Sequence, residues 1–333
     1  MTTTTTAPPS LASPRGRGPR GLAWLVLRQH RAAVWTFAVA LLVLLSALAT
    51  LYVAITDYVA DHGLENVCSA GWVCAPGQDT LGAFSTELAD PVHYIGNIVA
   101  YLPLLFGVFV AGPLIARELQ SGTYKLAWTQ SVSPLRWLAA KLAVPATAVL
   151  AGLSLLSAAY TAVWREQPLA VLPGQWWWRS FDMIGVVPVA HALLALVLGT
   201  VAGLLLQRTV PAMGAVLVAY PVITGLLESL RGSLISPATA LSAEMPGLIR
   251  GSDDWVVGRG LIGRTGGRLP EPDCGIGVSP ADCLAQHDGT GWYVDYHPAS
   301  HLWPMQWVEA GASLALAALL AGGAVRLVRR RWP

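Results

Sequence analysis

Between residues 34 and 56 the chain carries no charged side chain. A run of this kind has few stable homes, because about 20 apolar residues in a helix match a hydrocarbon core about 30 Å thick. Five more segments meet the same test, at about 94–115, 139–163, 183–206, 209–229 and 307–327. The fourth and fifth are separated only by Gln207-Arg208-Thr209. Composition agrees: 54% of the residues are hydrophobic and 12% are charged. Soluble domains carry about 25% charge, so this chain has too little polar surface to coat a globule in water. The expectation is an all-α integral membrane protein with a six-helix transmembrane bundle. Pro145, Pro188, Pro211 and Pro221 fall inside spans, where neighbouring helices can satisfy the freed carbonyls.

Basic residues set the expected orientation. With both termini cytoplasmic, fourteen of the 21 Lys and Arg residues lie inside. Of the seven outside, five fall in one long loop, which the positive-inside rule discounts. Residues 1–20 are a low-complexity Thr/Pro/Ser/Arg tail, expected to be disordered. Residues 21–33 interleave Trp24 and Leu27 with Arg28 and Arg31, which suits a helix lying on the inner leaflet. Spans one to five then occupy 34–229, and span six with a basic tail occupies 307–333.

Three polar pieces are left for the outer side: an acidic loop at 57–93, a loop at 164–182 with Trp176-Trp177-Trp178, and a Gly/Pro-rich region at 230–306. All four cysteines fall there, Cys68 and Cys74 in the first loop and Cys274 and Cys283 in the last. An even count on an oxidising side suggests two local disulfides, with free thiols as the alternative.

Some chemistry is excluded. A phosphate-binding P-loop needs a Lys followed by Ser or Thr, yet Lys125 and Lys141 are the only lysines and Leu follows each. The chain therefore holds no such ATPase of its own. Neither H-E-x-x-H nor G-x-S-x-G occurs, so no catalytic residue is nominated. No basic run is interleaved with stacking aromatics, which argues against nucleic acid. Asp295, His297 and His301 cluster near the last span, but Pro298 disfavours the helix that would align the two histidines, and no metal is expected.

The stretch from Gly112 to Lys141 joins two apolar runs on the inner side and contains both lysines. Arg117-Glu118 closes one run, Ser121-Gly122-Thr123 marks a turn, and Pro134 to Lys141 opens the next. Its sequence, ARELQSGTYKLAWTQSVSPLRWLAAKL, resembles the first cytoplasmic loop of ABC-2 type exporter permeases. The matching positions are Arg117, Glu118, Gly122, Thr123, Leu126, Thr129, Val132, Ser133 and Lys141. Gln120 and Gln130 depart from that pattern.

The resemblance implies the transmembrane subunit of an ABC exporter in a bacterial plasma membrane, paired as a homodimer or with a second permease. ATP and Mg would belong to a separate ATPase subunit, and this chain would need no cofactor. The loop would form a coupling helix, with Arg117, Glu118, Gly122, Thr123, Leu126 and Trp128 meeting the partner and Glu118 pairing with one of its arginines. The cargo would be a drug, a peptide or a lipid-like molecule. A non-transporting scaffold or immunity-type protein, binding a partner through its outer loops, is the alternative.

Polar groups in or near spans are costly in lipid and raise functional hypotheses. Asn97, His191 and Glu228 are the candidates for such a site, with His191 nearest a span centre. Glu309 reads as interfacial.

Overall fold

The computed structural model describes residues 31–64, 78–125, 133–167, 177–242, 254–274 and 278–331. The tail at 1–20, most of the 21–33 segment, Cys68, Cys74, Leu126 and Trp128 lie outside the described residues. Among the described residues, six helices are long and apolar enough to cross a membrane. They are α1 (Arg31–Asp61), α2 (Gly82–Ser121), α3 (Pro134–Arg165), α4 (Val187–Leu206), α5 (Thr209–Arg231) and α6 (Leu302–Arg331).

Most of these helices outrun the apolar segments that announce them. At 40 residues α2 is about twice the length a bilayer requires. It absorbs the end of the acidic 57–93 loop, since Gln78–Phe84, Ser85–Ala89 and Asp90–Phe106 follow one another without a break. It also absorbs the start of the 112–141 stretch, which is helical over Gly112–Ser121 and again from Pro134. Conversely α4 starts later than residue 183, because Gly185 takes a left-handed φ of 70° and Pro188 sits in the first turn.

Helix α4 is central. It packs against α2, α3, α5 and α6, and 56% of its apolar window is buried, against 11% for α1 and 17% for α5. Small residues permit the close approach. Gly199 and Gly203 lie one turn apart on α4 and face the α2 segment Gly107–Ala111 and Gly112. A Cβ on Gly199 would meet the Ala111 Cβ at 2.5 Å and the Gly107 carbonyl oxygen at 2.8 Å. At that contact α2 relaxes into a π-helical turn, with the Gly112 N–H reaching back to Gly107 O. Such turns recur at Ser85–Ala89 in α2 and Val149–Leu153 in α3. Pro113 lacks an N–H and so interrupts the α-helical ladder just past the first of these.

One end of the bundle carries the 122–133 connection and the Gln207-Arg208 turn; it is called the elbow end below. The other carries a small antiparallel sheet of β1 (Ala238–Ser242), β2 (Trp255–Gly263), β3 (Arg268–Pro270) and β4 (Gly289–His297), ordered β1-β4-β2-β3. The all-α expectation thus describes the bundle but not the 230–306 region. Cys274 and Cys283 form a disulfide that ties the segment after β3 to the short helix Pro280–Gln286. Leu261, Cys283 and Trp292 make a core for this unit. Trp255 of β2 joins it to the bundle by packing edge-on against Trp177, ring centroids 5.8 Å apart.

Candidate functional site: a braced elbow and a buried charge latch

At the elbow end the first fixture is Glu118. Its Oε2 accepts a hydrogen bond from Trp137 Nε1 at 2.9 Å, and its Oε1 forms an ion pair with Lys141 Nζ. Both partners belong to α3, so one carboxylate fastens the end of α2 to the start of α3. The pair is largely sheltered, with Lys141 buried and 19% of the Glu118 side chain exposed. Ile115, Leu119, Trp137 and Leu138 pack around it against Leu204 of α4 and Val328 of α6. Both Glu118 oxygens are thus engaged within the chain, where the resemblance implies a contact with a partner's arginine.

Gly122 ends α2 in the left-handed conformation, φ 75°, which an L side chain adopts only with strain. Thr123 Oγ1 lies 3.0 Å from Ser121 Oγ across the turn. Ser133 caps the next helix by accepting from the Arg136 N–H at 3.4 Å. Gln120 binds the neighbouring turn, its Oε1 accepting from Thr209 N and Thr209 Oγ1 at 3.1 Å each. Arg117 is exposed beside it, over a shallow hollow shared with Arg208. So Arg117, Glu118, Gly122 and Thr123 gather at one corner.

At the sheet end lies a buried cluster that the sequence reading only touched. Arg231 closes α5 and points into the bundle, its side chain 5% exposed. Its Nε and Nη2 donate to Glu309 Oε2 and Oε1 at 2.8 and 2.9 Å. Its Nη2 and Nη1 also donate to Asp182 at 2.8 and 3.2 Å. The guanidinium lies over the Phe181 ring, 4.1 Å from its centroid. Glu309 is wholly buried. His191 of α4 stands with Nε2 3.5 Å from Glu309 Oε1, at the limit of hydrogen bonding, and its ring meets Tyr220 edge-on.

Asp182, His191 and Glu309 form the kind of set that can hold a metal ion. Here the cation among them is Arg231. Asn97 is half-buried on α2 and Glu228 is exposed on α5, and neither joins the cluster.

The segment 177–186 brings Asp182 into place without regular structure, yet Trp177, Phe181 and Ile184 are fully buried. Its backbone is satisfied by side chains, as buried non-helical chain must be. Gln306 Oε1 accepts from the Val186 and Val187 N–H groups at 3.1 Å, and its Nε2 donates to Phe181 O at 2.8 Å. Ser157 donates to Gly185 O at 2.7 Å, and the Gly185 N–H donates to Thr161 Oγ1 at 3.1 Å. Spans three, four, five and six are thus tied together around one polar knot.

Between sheet and bundle, His297 is fully buried, with Nε2 3.0 Å from Gly232 O and Nδ1 3.1 Å from His301 Nδ1. Asp295 turns away, to Arg268 and Thr239. Burial first, and the neighbouring His301 as well, hold the His297 pKa below its usual value, although the bond to Gly232 opposes them.

Six helices among the described residues, each long and apolar enough to cross a bilayer, define a multi-pass membrane protein. The family model described as ABC-2 membrane transporter related matches residues 38–231, more than half of the 333 residues, and the chain belongs to that family. ABC-2 permeases are generally the non-enzymatic membrane component of an ABC transporter. Comparison with curated proteins and with solved structures gives no match. The matched region runs from α1 to the last residue of α5, so it includes Asp182, His191 and Arg231 but ends before Glu309 and the sheet.

Proposed function

We propose that this chain is the membrane-spanning permease of an ABC exporter in a bacterial plasma membrane, with its elbow end and both termini cytoplasmic. A separate nucleotide-binding subunit hydrolyses Mg-ATP and docks on the 122–133 connection. Leu126 and Trp128 fill an apolar groove on that subunit, beside Arg117, Gly122 and Thr123. Two permease chains pair, most simply as a homodimer, through the apolar faces that α1 and α5 leave uncovered. The cargo is a drug, peptide or lipid-like molecule.

The observation that carries this reading is the Glu118 brace. With Trp137 and Lys141 held by one carboxylate, α2 and α3 enter the elbow as a single stiff fork. Force applied at the connection is then passed to two spans instead of being absorbed by a pliable loop. The matching sequence pattern and the family membership support the same assignment.

The test is co-expression with a candidate ABC ATPase subunit from the same genome, followed by reconstitution into vesicles. Glu118→Gln keeps an acceptor for Trp137 but removes the ion pair. It is expected to leave insertion and ATPase co-purification intact while lowering transport per ATP hydrolysed. Unaltered coupling would reject the brace, and a wild-type chain that captures no ATPase would reject the permease assignment. An impermeant thiol reagent in intact cells checks orientation: a cysteine at Asp288 should label and one at Thr123 should not.

A further inference from the structure

Near the sheet end, α3, α4 and α6 leave a groove of about 540 Å³ that opens sideways toward the surrounding bilayer. Its volume falls in the usual range for a site that takes one small ligand. Leu150, Leu193 and Leu314 line its deeper part, and Trp303 and Trp307 its mouth. Trp307 is 63% exposed and Leu314 42%, so the occupant meets them from the lipid side.

Among the described residues the lining carries a single charge, Arg165, at the last residue of α3. Its guanidinium lies 5.6 Å from the Trp303 ring centroid. The adjacent acid does not neutralise it within the groove, because Glu166 is turned toward Tyr52 of α1, Oε1 to hydroxyl 3.5 Å. A cation at the headgroup level, above an apolar trough, is complementary to one class of molecule: an amphiphile with an anionic head. Guanidinium matches phosphate oxygens in both charge and fork geometry. Tryptophans at the mouth suit the boundary between head and tail.

We propose that this groove is a binding site for one anionic phospholipid of the sheet-end leaflet, its phosphate on Arg165 and an acyl chain along Leu193 and Leu314. The site lies within one chain and faces the bilayer, so it does not depend on the cargo or on the ATPase.

The experiment is native mass spectrometry of the full chain in mild detergent, titrated with phosphatidylglycerol or phosphatidylcholine. One phosphatidylglycerol should be retained in preference to phosphatidylcholine. Arg165→Gln should abolish that preference, lowering phosphatidylglycerol retention by roughly ten-fold, the scale of one lost charge-assisted contact. Arg165→Lys should restore part of it. Ala158→Trp places a ring in the groove and should reduce retention of both lipids. Arg117→Gln with Arg208→Gln removes competing basic surface at the elbow end and should leave the tight adduct unchanged. Equal retention of the two lipids by the wild type would overturn the proposal. So would an adduct indifferent to Arg165→Gln and Ala158→Trp, or one lost with Arg117 and Arg208. Matched elution and melting profiles separate loss of binding from loss of fold.

Discussion

Glu309→Gln is the sharpest probe of the buried latch. The wild-type carboxylate receives two short bonds from Arg231, and neither side chain has appreciable contact with solvent. Gln keeps the shape and one acceptor oxygen but presents an amide N–H₂ where Arg231 also donates. Removing one member of a buried pair costs about 3–5 kcal/mol, mostly because the other charge stays behind uncompensated. Asp182 still faces Arg231, so the lower end, about 3 kcal/mol, is expected. Asp182→Asn should cost less, on the order of 1 kcal/mol, because 37% of that side chain is exposed and water can replace it. The double variant Arg231→Met, Glu309→Leu removes both charges of the buried pair and fills the space with apolar atoms. It should be clearly more stable than the sum of its single variants, since each single variant strands its partner's charge and the double variant does not. Thermal unfolding of the purified chain in detergent, followed by tryptophan emission, measures each of these variants. Additive single and double effects would refute the reasoning, as would a Glu309→Gln variant no weaker than Asp182→Asn.

Other outcomes follow from separate contacts. Gly199→Leu should fail to assemble or should melt much earlier, because its side chain would collide with Ala111 and the Gly107 carbonyl, whereas Gly214→Leu, with open space around it, should be nearly neutral; expression and melting of the two distinguish them. His297 is neutral in the folded chain at a pH where an unfolded histidine, pKa about 6.5, already takes a proton. Its contribution is therefore complete above about pH 6.5 and is lost as pH falls below that value, so amide protection in β4 and around Gly232, taken relative to the intrinsic exchange rate, should fall near pH 5, and less so in His297→Gln. Reduction of Cys274–Cys283 should loosen the segment around Pro280–Gln286 and leave the bundle's melting nearly unchanged, which limited proteolysis with and without reductant would show.

Helix number and the corner holding Glu118 were legible because both depend on local signals. A charge-free run about 20 residues long has one cheap solvent, and Arg-Glu, Gly-Thr and Ser-Pro mark the stop, turn and start of flanking helices. What Glu118 touches was not legible, because its partners lie 19 and 23 positions away on the opposite stem. A polar residue beside an expected interface invites an intermolecular partner, yet burial against Trp137 favours an internal one. The latch failed to appear for a related reason. Arg231, Asp182 and Glu309 each sit at the edge of an apolar run, where a single charge ordinarily reads as a flank facing water. The available signal was collective: all three edges lie at the same end of the bundle, and the charges have opposite signs. The sheet was obscured because β2 and β4 alternate only partly and are rich in glycine.

One further packing signal is local. Residues 199–203 read GTVAG, a small-xxx-small repeat on the most apolar stretch between two turns. In lipid, apolar surface gives helices little reason to prefer one another over acyl chains, so close backbone approach and interhelical polar contacts decide the packing. That repeat places α4 against Gly107–Gly112 of α2, and this choice positions the rest. Once α2 and α4 are in contact, Gln120 reaches Thr209 at one end of the bundle, and at the other His191 faces Glu309 while the 177–186 segment lies under Gln306. Helix α4 is therefore the element against which motion of the braced α2–α3 fork must be measured. A cross-link between α2 and α4 through cysteines at Ile115 and Leu204, side chains of one packed cluster, should leave both fold and transport intact if the two helices move as one body. If it blocks transport in the reconstituted system without lowering ATPase docking, the moving seam lies between them instead.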